Sequence, residues 1–377
     1  MKKRFLIMAA VLMIGSLTAC LGGTTGEAEL ATSAETNAET KAEDESEANE
    51  ANDVEMGDFK VGVIFTEAGL GGQSFNDLVY EGVKRAEQEL GITFDYVEPK
   101  SVSDEEIVQD EMAASGEYGI IICVGSEQID ALTKVAPRYP EQKFALIDAV
   151  LELDNVACYT SKEQEGSFLA GALAALVKQE EVSGLVGDGK TIGVMCGVDN
   201  ELLNRFSAGY KAGALYIDSE YNVLIDYVGG FSDPTTAKNI ATTFHEKGAD
   251  VIFHAAGASG MGMFQAAEEK GFMAIGVNLN QNDVAPDYIV ASMMKRVDSS
   301  AYYAIESTMN GNFEAGIKVM GVADEGVGLD MAGSNIVLSE DITNQLEELK
   351  AKITSGELVV PQTLDTVEAF IAEHSAN

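Results

Sequence analysis

From Phe59 onward, short apolar runs alternate with segments that repeat apolar residues at helical spacing, and the whole alternation is laid down twice. The first pass reads FKVGVIF, then LVYEGVKRAEQEL, FDYVEP, a helix over Glu105 to Ala114, YGIIICVG, a helix over Gln128 to Val135, KFALIDA and NVACYTS. The second reads KTIGVMCGV, ELLNRFSAGYKAGALYI, YNVLIDYVGG, TTAKNIATTFHEKG, DVIFHAAG, GMFQAAEEKG and MAIGVN. Parallel strands need a crossover, and a helix is the usual one, so this order implies an α/β chain with a parallel sheet flanked by helices. Two passes imply two such lobes; YGIIICVGS echoes DVIFHAAGA and KFALIDA echoes MAIGVNL. Between the passes, EQEGSFLAGALAALVKQ carries a small-residue helical face suited to close packing near the lobe junction. After them, DYIVASMMKRVDSSAYYAIESTMNG supplies a further strand and helix, and a helix over Asp341 to Ser355 follows. Extra elements after two finished units mean that the chain crosses back between lobes. The expected division is residues 59–160 plus about 291–330 for the first lobe and 161–290 plus about 331–370 for the second.

The first residues bear on compartment. Lys2, Lys3 and Arg4 precede the apolar FLIMAAVLMIGSL and then LTAC, the pattern of a secretory signal over residues 1–19. Small residues directly before Cys20 look like a bacterial lipobox, with Cys20 as the lipid attachment site and a membrane-held, extracytoplasmic protein as the consequence. Residues 20–58 are rich in Ala, Glu, Thr, Asn and Ser and are expected to be a disordered acidic linker. As a flexible coil, such a tether has a reach of roughly 35 Å. Net charge is −38, with 62 acidic against 24 basic residues, which disfavours nucleic acid as a partner because phosphate binding needs clustered Lys and Arg. The remaining cysteines, Cys123, Cys158 and Cys196, have neither metal-ligand nor disulfide-framework spacing, and Cys123 and Cys196 sit in apolar strand-like runs.

Two facing sheets with strand C-termini along a cleft make the geometry of a hinged solute-binding protein. Residues at strand ends and helix starts then count most: Glu67, Phe75, Asn76 and Asp148 from the first lobe, Phe206, Gly257 and Asn278 from the second. Phe75 stands out in TEAGLGGQSFND because it lies among glycines and polar residues rather than on an apolar face. Phe206 fits the core of an amphipathic helix as well as it fits an opposing ring. Asp148 ends a buried apolar run, where a carboxylate either meets a ligand or caps a loop. The histidines His245, His254 and His374 join no nucleophile or paired ligand set, and GLGG and GASGMG lack the lysine and spacing of phosphate loops. No catalytic group, cofactor or metal site is expected.

The motifs QSFNDLVYEG, KFALIDAV, EQEGSFLAGALAAL, NRFSAGYKAG, FSDPTTAK, ADVIFHAAGASGMGMFQAAEEKG, IGVN and MMKRVD together resemble the basic membrane protein family of solute-binding lipoproteins, which includes purine nucleoside receptors of ABC transporters. The resemblance runs from Phe59 to the C-terminus and implies the type I periplasmic-binding fold, two Rossmann-like lobes joined by three crossovers. It implies a monomer that passes a nucleoside, purine first, to a membrane permease. It places base-stacking rings on Phe75 and Phe206, base-recognising groups on Asn76 and Asp148, a backbone contact on Gly257 and a lysine near the sugar on Lys295. Two positions depart from the pattern: Glu67 stands where the family has Asp, and GVN with Asn278 stands where it has GVD. A charge-assisted bond is roughly twice as strong as a neutral one, so Asn278 grips ribose hydroxyls less firmly than a carboxylate would. A deoxynucleoside, a free base or another ring compound is the alternative ligand, a sensor the alternative role, and a nucleoside-processing enzyme the alternative from another class.

Overall fold

The structure is a computed structural model that describes residues 59–71 and 75–374; the signal segment, Cys20 and the linker lie outside the described residues. Elements alternate as the sequence pattern implies. The first round is β1 (Lys60–Ile64), α1 (Phe75–Leu90), β2 (Thr93–Val97), α2 (Glu105–Ser115), β3 (Ile120–Val124), α3 (Ile129–Val135), β4 (Phe144–Ile147), β5 (Val156–Ser161) and α4 (Glu163–Gln179). The second is β6 (Thr191–Cys196), α5 (Glu201–Ile217), β7 (Asn222–Tyr227), α6 (Pro234–Glu246), β8 (Ala249–Ala255), α7 (Gly260–Lys270), β9 (Met273–Asn278) and β10 (Ile289–Lys295). The chain ends with α8 (Val297–Met309), β11 (Gly316–Met320), β12 (Val327–Asp330), α9 (Glu340–Ser355) and α10 (Val367–His374).

Two six-stranded sheets result, ordered β2-β1-β3-β4-β5-β11 and β7-β6-β8-β9-β10-β12. The first is parallel throughout, and only β12, antiparallel to β10, breaks the rule in the second. Both orders reverse direction between their first and third strands, the switch point where an open α/β sheet leaves a crevice beyond its strand C-termini. Strands buried on both faces read as continuous apolar runs, and β3 and β4 are buried at every residue.

The third segment is divided differently from the expected boundaries. β10 hydrogen-bonds to β9 and completes the second sheet, while α8 and β11 return to the first lobe. The reason is the repeat itself: each half needs a fifth parallel strand, and β10 is the counterpart of β5. The crossovers therefore run from Ser161 to Glu163, from Lys295 to Val297 and from Met320 to Val327. On its return α8 lies so close to α1 that a Cβ on Gly82 would stand 2.2 Å from the Asp298 carbonyl oxygen.

Helix starts that bear on the cleft have local causes. Asn200 caps α5 by accepting from the Leu203 N–H at 2.8 Å, and Asp233 caps α6 by accepting from the Thr236 N–H at 3.0 Å, with Pro234 pre-set in the first helical turn. Helix α4 is buried from Glu163 to Lys178 and packs on α5 through small residues. No helix among the described residues is long and apolar enough to cross a membrane.

Candidate functional site

The C-terminal ends of the two sheets border one cleft of about 440 Å³. Of the eight residues singled out as ligand contacts, seven line it: Phe75, Asn76, Asp148, Phe206, Gly257, Asn278 and Lys295. Glu67 does not. Its side chain is exposed, and its backbone N–H donates at 3.4 Å to Glu127 Oε2, which places Glu127 in the wall instead.

Each first-lobe group is held by its element. Phe75 opens α1, and its ring edge comes to 3.9 Å from where Gly125 would carry a Cβ. Asn76 Nδ2 donates to Thr66 Oγ1 at 2.9 Å and to the Gly69 carbonyl at 2.7 Å. A carbonyl can only accept, so this pairing fixes the amide orientation and leaves Oδ1, buried and without a partner among the described residues, as its remaining acceptor. Asp148 follows β4 and Asn278 ends β9, the corresponding strands of the two sheets; both sit at positive φ, 67° and 69°. Asn and Asp tolerate that region better than other side chains, and strained strand ends are where binding groups collect.

The floor is ionic. Lys295 Nζ, at the end of β10, lies 2.5 Å from Asp148 Oδ1 across the lobe divide and 2.9 Å from Glu163 Oε1 on α4. The Glu163 approach is close but off the line of a hydrogen bond, so it is read as electrostatic. The Asp148 carboxyl is pushed up to about 6: burial raises it most, Lys295 opposes the rise and Glu163 adds to it. Burial also works against the charge of Lys295, but Asp148 and Glu163 outweigh it and hold the ammonium above its usual value.

Phe206 lines the cleft with little of its ring. It is 3 % exposed, leans on Phe253 at a centroid distance of 6.4 Å and carries Lys295 Nζ 5.7 Å from its own centroid. Sequence reasoning passed over Phe231, which is 42 % exposed and lines the same cleft. A Cβ on Gly197 would meet its ring at 2.3 Å, so the glycine is what lets the ring lie there. Its loop is pinned by Ser259, whose N–H donates to the Phe231 carbonyl at 2.9 Å and whose Oγ accepts from the Asp233 N–H at 2.8 Å. The signal was present: GGFSDP sets a phenylalanine among glycines and polar residues just before a helix, as GGQSFND does for Phe75. Glu127, Ser126 and Asn200 were also missed, being ordinary polar residues that only the strand-end geometry promotes.

Behind Glu127, the fully buried Glu105 has both carboxyl oxygens unpartnered among the described residues. Burial, then Glu127 and Glu67, push its carboxyl up to about 7. The folded state thus binds this proton more tightly than the unfolded chain, and stability declines as pH rises from about 4.5 to about 7. Glu105→Gln is expected to raise the melting temperature at pH 8 by removing a penalty of up to about 3 kcal/mol, with little effect at pH 4.5. Thermal melts of both proteins across that range check it. Among the described residues no group of three His, Cys, Asp or Glu side chains is placed to hold a metal ion.

A family profile described as ABC transporter substrate-binding protein PnrA-like matches residues 59–363, the whole two-lobed body to beyond α9. The chain belongs to this family. A lipoprotein from Pyrococcus abyssi is 33 % identical over 358 residues, covering 83 % of this chain and 87 % of its own. Basic membrane protein A from Borreliella burgdorferi is 29 % identical over 308 residues, covering 80 % and 87 %. The crystal structure of an ABC transporter solute-binding protein from Aeropyrum pernix K1 superposes with a TM-score of 0.74 at 34 % identity, covering 84 % of this chain and 98 % of that one. The two lobes are those of the type I periplasmic-binding fold, and the family is one that binds small solutes for ABC importers rather than a family of enzymes.

Proposed function

We propose that this protein captures a nucleoside, purine first, between its lobes and presents it to the permease of an ABC importer. The observation that carries the proposal is the composition of the cleft: two rings on opposite walls, the half-buried Phe75 and the exposed Phe231, with amide and carboxylate groups at the strand ends between them. A heteroaromatic base gains burial and stacking from such rings, and its edges need a few directed partners. Asn76 Oδ1 serves as an acceptor for a base N–H, Asp148 for a further donor on the base edge, and Asn278 faces the hydroxyls of a sugar. Phe206 forms floor rather than wall, so the sandwich is assigned to Phe75 and Phe231. Lipidation of Cys20, with residues 20–58 as tether, completes the proposal on the extracytoplasmic membrane face; relatives named lipoproteins support it.

Melting curves against a panel of nucleosides, deoxynucleosides and free bases test the ligand. A rise with purine nucleosides is expected; folded protein with no rise for any of them refutes the ligand class. The response to pH follows from Asp148. A donor from the ligand favours the ionised carboxylate, whose proton competes below about 6. Affinity is therefore flat above neutrality and declines toward tenfold per pH unit on the acid side, as calorimetry between pH 5 and 8 will read.

A further inference from the structure

Four charged groups meet beneath the cleft, drawn from both lobes. Asp148 comes from the end of β4, Lys295 from β10, Glu163 from the first turn of α4 and Arg205 from α5. Lys295 Nζ reaches Asp148 Oδ1 at 2.5 Å and Glu163 Oε1 at 2.9 Å, and Arg205 Nη1 stands 3.6 Å from Glu163 Oε2. Arg205 also reaches the more exposed Glu201 at 3.3 Å. Glu163 is fully buried, so its charge is screened less than that of an exposed carboxylate and is felt by its neighbours.

We propose that Glu163 is a positioning residue that keeps the cleft floor electrically neutral and so makes the site refuse anionic ligands, an inference that rests on the cleft being the solute site. Asp148 and Glu163 balance Lys295 and Arg205. Lys295 faces the cleft, yet an anion arriving there meets an ammonium already shared by two carboxylates, with Asp77, Glu127 and Glu201 also on the walls. Without Glu163 the groups Asp148, Lys295 and Arg205 carry one net positive charge, offset only by the largely exposed Glu201, and Lys295 is more open to an anion. Specificity of this kind comes from a repulsive element rather than an attractive one. The charged groups facing Asp148 are Lys295, Glu163 and Arg205, and the upward push of Glu163 on the Asp148 carboxyl is the same effect seen from the other end of the shared lysine.

Glu163→Gln keeps the shape and removes the charge. Arg205→Met, at a position 27 % exposed in its side chain, shifts the balance the opposite way and leaves the Lys295 contacts with Asp148 and Glu163 in place. In the ligand-free protein, carboxyl carbon NMR follows the titration of Asp148. Its midpoint falls by about one pH unit in Glu163→Gln and rises in Arg205→Met. A midpoint unmoved in both variants overturns the proposal. Calorimetry with inosine and inosine 5′-monophosphate gives the second readout: the wild-type preference for the neutral compound narrows by about tenfold or more in Glu163→Gln and widens in Arg205→Met. An unchanged ratio with intact inosine binding overturns it as well. Failure of inosine to bind any of the three proteins refutes the nucleoside reading alone, because the Asp148 titration still decides what Glu163 does. Should Glu163→Gln fail to fold, Arg205→Met decides on both readouts.

Discussion

Phe231→Ala weakens nucleoside binding by about 30-fold or more, at least about 2 kcal/mol, while leaving the melting temperature of the free protein within a few degrees of the parent. The ring is 42 % exposed and packs over the glycine positions 197 and 257, so its removal opens no core cavity. Phe75→Ala also weakens binding, with some loss of folding stability because the half-buried ring packs against the core of the first lobe. Phe206→Ala is different: the ring is 3 % exposed and packed against Phe253, and its truncation costs folding stability first, about 3 kcal/mol by the usual price of a buried aromatic. Calorimetry and thermal melts on the three variants separate the two effects. If Phe206→Ala loses affinity with an unchanged melt while Phe231→Ala binds like the parent, the assignment of the walls is reversed.

Gly171→Ala destabilises the second lobe by about 3 kcal/mol or more, because the crossing of α4 and α5 has no room for a methyl group. A Cβ at Gly171 would lie 1.9 Å from the Tyr210 carbonyl oxygen, and one at Gly213 would lie 1.9 Å from the Phe168 carbonyl oxygen. These are backbone atoms, so no rotamer change relieves the clash; the helices must part, and both are buried in the largest core cluster. Gly184→Ala is the comparison, since nothing lies within 4 Å of a Cβ there, and it is expected to stay within about 0.5 kcal/mol of the parent. Urea denaturation of the two variants checks the contrast. Because α4 also places Glu163 beneath Lys295, a weakened crossing is expected to loosen the ionic floor before the first lobe is affected.

The two-lobed fold was legible because its signal is periodic and repeated. Buried parallel strands are forced to be apolar runs, and the helices between them are forced to be amphipathic, so GIIICVG and DVIFHAAG announce themselves and one another. The lobe boundary at β10 was not legible, since DYIVASMMK reads equally well as the last strand of one repeat or the first of a return. Only pairing with β9 decides it. Phe75, Asn76, Asp148 and Asn278 could be picked out because strand ends in this architecture aim at the cleft, and a polar or ring residue there breaks the local pattern. Glu163 could not, because it sits in a run that reads as a helix start and its partners come from β4, β10 and α5. Phe231 could have been found by the rule that found Phe75. Glu67 was misplaced by the same adjacency, for one residue along an exposed turn separates Thr66, which lines the cleft, from a side chain that does not.

The most direct measurement is a crystal structure of the protein soaked with the nucleoside that raises its melting temperature most. The account expects density for the base between the rings of Phe75 and Phe231, with Asn76 Oδ1 within 3.2 Å of a base nitrogen or amine, about the limit of a good N–H···O bond. Density for the same compound anywhere outside the interlobe cleft, or a base in the cleft touching neither ring, contradicts it.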